Sequence, residues 1–526
     1  MSAAWNWLDR TIAAVNPRAG VRRAAAREAL TLHYDGAART HRTSWKQIGG
    51  TSANTEIQMS LDRLRNVCRD FGRNNPIASN IHAEIQGHVI GAGIIPSVKA
   101  GNKKQKAALQ SLIEDHLDTT AIDYDGRTNL SGLQSLAMRT VVESGEVLIV
   151  RYVPPASLRL PVPLQIRVIE GDYLDVRRHG SLPDGNICFQ GIEFTPQGQR
   201  VAYWLYDEHP GGGITWKFPD SHRVPASEVR HLYRADRPGQ QRGVPWGAPG
   251  IMTMWDLANY EEAELMRQKI AACFAVFFTG PDTGGLGASA AAGKTNAGNP
   301  IERLEPGMIQ ALPSGSTVTT ASPQMMQGFR DFEMAYIRKI CMGYGVPYEV
   351  GSGDLSQVSF ISGRLGRIGF NIKIDQWRWH MLVPQMCDGI GRWFIQAAVI
   401  ARGPLSSNPK LTWTPPAREM VSPKDEIPPI RDAIRAGLTS RSEAARSLGC
   451  DPELIETEQA EENTRADTLG LRFDSDGRVP FPMRGVEPVA PVDENGPADP
   501  SQPAPAPMPS SPAPPRKPVK SKKESK

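Results

Sequence analysis

Three sets of residues in this 526-residue chain have types and spacings that could do chemistry. The run from Ala288 to Gly293-Lys294-Thr295 fits a relaxed phosphate-loop pattern, in which backbone N–H groups and a lysine gather around a nucleotide's phosphates. Such a loop needs a buried strand before it and a helix after it, so that the helix N-terminus faces the anion. Here the preceding residues are rich in Gly, Asp and Thr, and the Asn-Ala-Gly-Asn-Pro that follows breaks a helix. A flexible linker fits these residues better, and a P-loop nucleotide hydrolase using Gly293-Lys294-Thr295 is the alternative. The second set is acidic: Glu143 and Glu146 flank Gly145, and Asp172 and Asp175 follow Glu170. Paired carboxylates can do general acid–base work, but no nucleophile or base accompanies them in a recognisable order, so no catalytic residue is assigned. The third set is a segment at 351–366 holding Ser356, Gln357, Ser359, Ser362 and Arg364, with Arg367 just after it, long for a connection between helices. Small hydroxylated side chains with only two arginines could pass over a phosphate surface without gripping it.

No metal or cofactor is expected. The ten histidines include no H-E-x-x-H, and His82 and His88, six apart, fall on different faces of a helix. Six cysteines (Cys68, Cys188, Cys273, Cys341, Cys387 and Cys450) contain no C-x-x-C pair, which suits buried free thiols in a reducing compartment. The formal charge is +4, yet residues 516–526 alone hold six Lys/Arg against Glu524; without them 54 basic residues face 55 acidic ones. The remainder is near neutral and lacks the excess of a protein that grips nucleic acid over a wide phosphate footprint. The longest strongly apolar run, 270–278, is nine residues, against roughly 20 for a membrane span. The expectation is a soluble, cytosolic, multi-unit protein with no membrane contact.

These side chains need a scaffold, and the hydrophobic period supplies one. Residues 1–55 read as an arm that orders against a partner. The helical period starts at Glu56 (Leu61, Leu64, Val67, Cys68, Phe71) and resumes after Asn75-Pro76 (Ile77, Ile81, Ile85, Val89), with further helices at about 103–117 and 131–144. Period two then takes over at Val147, Ile149 and Arg151, at Leu164, Ile166 and Val168, and around 187–194 and 201–206. A long helix at about 250–274 is followed by a Gly/Ala/Ser/Thr segment and two short strand-like pieces at 308–312 and 317–321. The stripe Phe329, Phe332, Tyr336, Ile340 and Tyr344 marks another helix. A very long helix reaches about 401 with a kink at Pro384. Lys410 to Trp413 read as a returning strand, and two short helices, 430–436 and 440–448, follow Pro428-Pro429. Thirteen prolines over 482–526 predict an extended tail.

Read as a whole, residues 56 to about 470 resemble the lambda-type family of tailed-bacteriophage portal proteins. The likeness is carried by Arg69-Asp-Phe-Gly-Arg-Asn-Asn-Pro76 with Gly91-Ala-Gly93, by Gly145-Glu-Val-Leu148, and by Gly191-Ile-Glu-Phe with Arg200-Val-Ala-Tyr-Trp204. His231-Leu-Tyr-Arg234, Gln241-Arg-Gly-Val-Pro245, Leu304-Glu-Pro-Gly307 and Gly345-Val-Pro-Tyr-Glu349 continue it in order. The Ser359-Phe-Ile-Ser362 run departs from the family's more polar Tyr-Ser-Ser.

The resemblance implies an α+β portal fold and a non-enzymatic ring of about twelve copies at a capsid vertex, through which double-stranded DNA is packaged and ejected. It implies an arm (1–55), an α/β wing (56–248), stem helices (249–279 and 324–350), a small β-containing clip (280–323) and a tunnel loop (351–366). A long kinked helix (367–403), a return to the wing (404–429), a helical crown (430–473) and a Pro-rich basic tail (474–526) complete it. On that reading Ser356, Gln357, Ser359 and Arg364 line the channel, and Lys294, Arg303 and Ser316 lie in the clip that docks the motor or adaptor. The implied partners are the large terminase subunit, the major capsid or scaffold protein and the head–tail adaptor. The implied location is the virion, with the host cytoplasm during assembly.

Overall fold

The structure is a computed structural model that describes residues 11–12, 14–17, 50–99, 102–212, 220–272, 276–279, 317–320, 328–403, 409–418, 420, 422–473, 476 and 478. It falls into two units, Met1–Pro452 and Glu453–Lys526.

Helix α1 (Ala53–Asn74) starts at Ser52, whose hydroxyl accepts from the Thr55 amide, and buries Ile57, Leu61, Arg65, Cys68 and Gly72 on one face. That face is helical in spacing, with an arginine where an apolar residue would be expected. Helix α2 (Pro76–Ile90) has proline at its first position, where no backbone donor is lost, and the Asn75 side-chain Oδ1 accepts from the Ile77 and Ala78 amides. Strand β1 (Ile95–Lys99), α3 (Lys103–Leu112), a π-helical turn (Ile113–Leu117) and α4 (Leu130–Ser144) follow. Helix α2 packs against α1 and α4, and its Ile81, Ile85 and Val89 join Leu133, Met138 and Val141 in the main core.

Strand β2 (Glu146–Tyr152) is the centre of a three-stranded antiparallel sheet between β3 (Gln165–Glu170) and β9 (Val229–Tyr233). Successive side chains on a strand face opposite ways, so β2 divides two cores. Val147 and Ile149 enter the helical core, and Leu148 enters a second one with Ile169, Ile192, Tyr203 and Leu205. The second core belongs to an antiparallel meander of β4 (Gly180–Ser181), β5 (Ile187–Phe189), β6 (Ile192–Phe194), β7 (Arg200–Tyr206) and β8 (Ser221–Pro225). Gly145, between α4 and β2, has φ +92°, and a Cβ there would lie 2.5 Å from the Val244 carbonyl carbon. Only glycine allows both that turn and that approach.

Helix α5 (Ile251–Ala272) ends earlier than the stem boundary at 279. Residues Val276–Thr279 instead form strand β10, paired antiparallel with β11 (Thr317–Thr320). A Val-Phe-Phe-Thr run favours a strand over a helix because branched and aromatic side chains fit a pleated surface. The strand expected at 317–321 is thus present, and that at 308–312 lies outside the described residues. Helix α6 (Phe329–Tyr344) packs on α5 through Tyr260 and Phe332, ring centroids 4.2 Å apart. It stops at Gly345, φ +81°.

A short helix α7 (Tyr348–Ser352) leads to α8 (Phe360–Trp377), which continues through a π-helical segment (Arg378–Cys387) into α9 (Asp388–Arg402). One expectation is corrected here. The loop assigned to 351–366 spans only 353–359, because Ser359 and Ser362 build a reciprocal capping box that starts the helix at 360. The interruption around Pro384 is a ten-residue π-helical stretch, which accommodates the missing backbone donor. Strand β12 (Lys410–Thr414) returns to pair with β1, Ile95 opposite Thr414.

Helix α10 (Pro423–Arg435) begins seven residues before the expected 430 and contains Pro428 and Pro429. Pro423 at its first position, with Asp425 and Glu426 facing the positive end of the dipole, starts it ahead of the proline pair. Helix α11 (Arg441–Ser447) is capped by Ser440 as its sequence suggests. In the second unit, helix α12 (Pro452–Leu469) is followed by Arg478, which bridges Asp467 and Asp476. No helix among the described residues is long and apolar enough to cross a membrane.

Candidate functional site

The segment 353–364 gathers all four of the channel residues expected from sequence. Gly353 ends α7 in the left-handed region, and the Asp354 carboxylate then accepts from the Ser356 amide at 3.0 Å and from the Tyr348 hydroxyl at 3.0 Å. The Ser356 contacts, with the Tyr348 bond behind them, hold the Asp354 carboxyl below its ordinary range. The turn is therefore pinned by its own acid. Ser356 and Gln357 are exposed at its tip. Ser359 is exposed too, but its hydroxyl accepts from the Ser362 amide at 3.3 Å while Ser362 Oγ accepts from the Ser359 amide at 3.0 Å. Ser359 thus starts a helix and has little hydroxyl left for a ligand. Arg364 projects from the second turn of α8 and makes no ion pair among the described residues. Lys294, Arg303 and Ser316, and the Gly293-Lys294-Thr295 run, lie outside the described residues.

The far end of α8 is held firmly. A helix leaves its last four carbonyls without intrahelical donors, and in α2 all four find one. Gly91 donates to Gly87, Gly93 to Ile90, and the Arg378 guanidinium to both His88 (2.8 Å) and Val89 (2.7 Å). Arg378 is buried. Burial, with Arg418 nearby, brings its pKa down to about 10, so it keeps its charge at neutral pH against the negative end of the α2 dipole. Lys373 donates to the Gly345 carbonyl at the end of α6, and Phe370, Ile374 and Trp377 bury one face of α8.

The acidic set has a structural answer. Glu146 is fully buried and accepts from Arg65 at 2.8 Å, His231 Nε2 at 3.0 Å, the Gly243 amide at 2.9 Å, and Arg242 through two nitrogens. Burial alone would disfavour its charge; Arg242 first, with His231, overrides this and holds the carboxyl well below the usual range. Asp172 accepts from Arg69 at 2.6 Å and pairs with Arg65 at 3.2 Å. Asp175 stands apart, accepting from Tyr206 and Ser221 at 2.7 Å each. Glu170, Asp172 and His209 bring ligand atoms within 4.8 Å of one another. Arg69, 3.1 Å from Glu170, already supplies the cation that those carboxylates face. Sequence reasoning found these acids but not their partners. Arg65 at an apolar position of the α1 period was the one available signal.

Two buried histidines give a pH dependence. Burial brings His231 down to about 4 against the opposing pull of Glu146, and burial with Arg139 brings His82 to about 4. Both rings are neutral in the folded chain at pH 7. Below the unfolded value of 6.5 the unfolded chain takes up protons that the folded chain refuses until about 4, so stability falls as pH falls through that window. The expected loss is up to about 3 kcal/mol per histidine. Urea midpoints measured at pH 7 and pH 5 check this, with the lower midpoint expected at pH 5; equal midpoints would mean that the rings are protonated in the fold.

Comparison with known proteins places these features in context. The family model "Phage portal protein, lambda family" matches residues 39–378. A "Probable portal protein" from Halomonas phage phiHAP-1 is 26% identical over 436 residues, covering 79% of this chain and 82% of that protein. Among solved structures, a chain in the neck of an empty gene transfer agent particle is 15% identical at a TM-score of 0.44, covering 78% of this chain and 98% of its own. An HK97-family phage portal protein from Corynebacterium diphtheriae is 10% identical at 0.34, covering 66% and 94%.

Proposed function

The chain belongs to the lambda family of phage portal proteins, and from that premise we propose that about twelve copies close into a ring at one capsid vertex. The ring is a non-enzymatic conduit for double-stranded DNA, entering during packaging and leaving on ejection. The observation that carries this reading is the short loop 353–359 with the first turns of α8, which exposes Ser356, Gln357, Ser359 and Arg364 alongside the apolar Leu355, Phe360, Ile361 and Leu365, and so offers a duplex few charges to hold. Strong phosphate contacts would stall a moving duplex, because each adds a salt-dependent increment to affinity. A loop with few cations, in a chain near neutral outside its last eleven residues, suits a passage that must not grip.

Residues 56–248 serve as the wing, 249–279 and 324–350 as the stem and 430–473 as the crown. The clip, 280–323, with Lys294, Arg303 and Ser316, meets the large terminase subunit and later the head–tail adaptor. The wing side meets the major capsid or scaffold protein. The protein acts in the virion after assembly in the host cytoplasm. The family assignment leaves the P-loop alternative without support.

Negative-stain microscopy and native mass of the purified chain test this reading. Rings with a central hole and a mass of about twelve chains are expected; a monomer would overturn it. In the same experiment Arg364→Glu should still form rings, while particles assembled with it retain DNA several-fold less well. A missing ring in that variant would make Arg364 structural.

A further inference from the structure

Helix α12 carries six carboxylates, Glu453, Glu456, Glu458, Glu461, Glu462 and Asp467, against the single cation Arg465. From Glu453 onward only its Ala466 is buried. Asp467 pairs with Arg478, whereas Glu456, Glu458, Glu461 and Glu462 are exposed and enter no ion pair among the described residues. Glu458 stands three and four residues before Glu461 and Glu462, a spacing at which like charges destabilise a helix. We propose that this helix seats the chain's own basic end, residues 516–526, and so shields the most cationic segment of the protein from nucleic acid.

The helix surface is shaped for such a ligand as well as charged for it. The hydroxyls of Thr457, Thr464 and Thr468 each donate to the carbonyl four residues earlier at 2.8 Å. With its oxygen held by the backbone, each threonine offers a ligand chiefly its methyl group. Together with Ala460 these residues line an open groove of about 540 Å³ along one side of the helix. At about 100° per residue, Glu456 falls on one border of that groove, and Glu458 and Glu461 fall on the other. A floor of methyl groups between carboxylates suits lysine, whose aliphatic stem packs on apolar surface while its ammonium stays with a charge.

Charge selects the occupant. Residues 516–526 hold six cations, five of them lysine or more precisely Lys517, Lys520, Lys522, Lys523 and Lys526 with Arg516, against Glu524, a net of +5; the helix, with one cation against six acids, has a net of −5. A second copy of the helix, or a nucleic acid, would bring like charge to the same face. Eleven extended residues reach at most about 36 Å, and the 18 residues of α12 run about 27 Å, so the one can lie along the other. The two are joined by the 46 residues 470–515, and a coil of that length has an r.m.s. span of about 40 Å, long enough to fold back at an effective concentration on the order of a millimolar. Both segments belong to the unit Glu453–Lys526. Left free, each of these cations could add a phosphate contact and a salt-dependent increment of DNA affinity. The inference does not depend on ring closure or on the channel residues.

The test uses the full-length chain. A zero-length carbodiimide, which joins lysine amines to carboxylates, should link Lys520, Lys522 or Lys523 to Glu456, Glu458 or Glu461. Tail links confined to other carboxylates would overturn the inference, and so would linked peptides of mixed isotope content in a sample of labelled and unlabelled chains. A Glu456→Gln/Glu458→Gln/Glu461→Gln variant keeps helix propensity and should retain the parent's circular dichroism. It should bind a short duplex DNA about tenfold more tightly than the parent at low salt. Removing residues 516–526 from that variant should abolish the gain, and Lys520→Gln/Lys522→Gln/Lys523→Gln in the otherwise unaltered chain should leave DNA binding as weak as the parent's. An affinity unchanged in the glutamine variant, or a gain that survives removal of the tail, overturns the inference and leaves the portal reading standing.

Discussion

Replacing Glu146 with glutamine is expected to destabilise the α/β part of the fold by about 4 kcal/mol, the cost of breaking a buried ion pair by removing one partner. Glutamine matches the size of the carboxylate and keeps one acceptor oxygen. It loses the charge that Arg65 and Arg242 face, and it turns an N–H donor toward two guanidinium groups that can only donate. Both arginines are at most 2% exposed, so water cannot take the carboxylate's place. Four chain segments converge on this one oxygen pair: α1 through Arg65, β2 through Glu146 itself, β9 through His231, and the turn at 242–243. The substitution should therefore loosen α1, β9 and the turn at 242–243 together. Equilibrium urea unfolding reads the change, and a shift below about 1 kcal/mol would show that the cluster is solvated.

Arg378→Met is the second large effect, about 3 kcal/mol, from two charge-assisted hydrogen bonds lost in a buried place. The methionine fills much of the space, but the His88 and Val89 carbonyls lose the donors that complete the end of α2. Arg378→Lys should recover only part of the loss, since one ammonium cannot spread across two carbonyls as a planar guanidinium does. Thermal unfolding of the three proteins ranks them, and a lysine variant equal to the parent would mean that charge alone matters there.

Much of the helical framework is legible in the residues. Asn75-Pro76 and Ser440 announce helix starts through their capping chemistry, and the 3.6 and 2.0 periods distinguish α2 from β2 without further help. What is not legible depends on distance or on competition. Strands β1, β8 and β9 are short and partly polar, and they exist because of partners elsewhere in the chain. The first turns of α8 look like loop because Ser362, Gly363 and Gly366 follow the Gly/Ser-rich run at 351–359, and the helix start is marked by the reciprocal Ser359–Ser362 bonds. The candidate channel residues are brought together because they are near neighbours in sequence. The partners of Glu146 come from 81 to 97 residues away, and nothing local in any of them marks the meeting.

The pairing of β1 with β12 has a consequence in time. Ser97 and Thr412 meet across 315 positions, so the first strand of the body waits for one of the last. At about 5–20 residues per second on the ribosome, that wait is roughly 15–60 s. During it Ile95–Lys99 is an unpaired edge, of the kind that invites pairing with other chains. High contact order of this sort slows folding, and it also ties maturation to the completion of synthesis: a nascent chain cannot close its body until β12 emerges, so fragments truncated before residue 410 are expected to be handled by chaperones rather than built into particles.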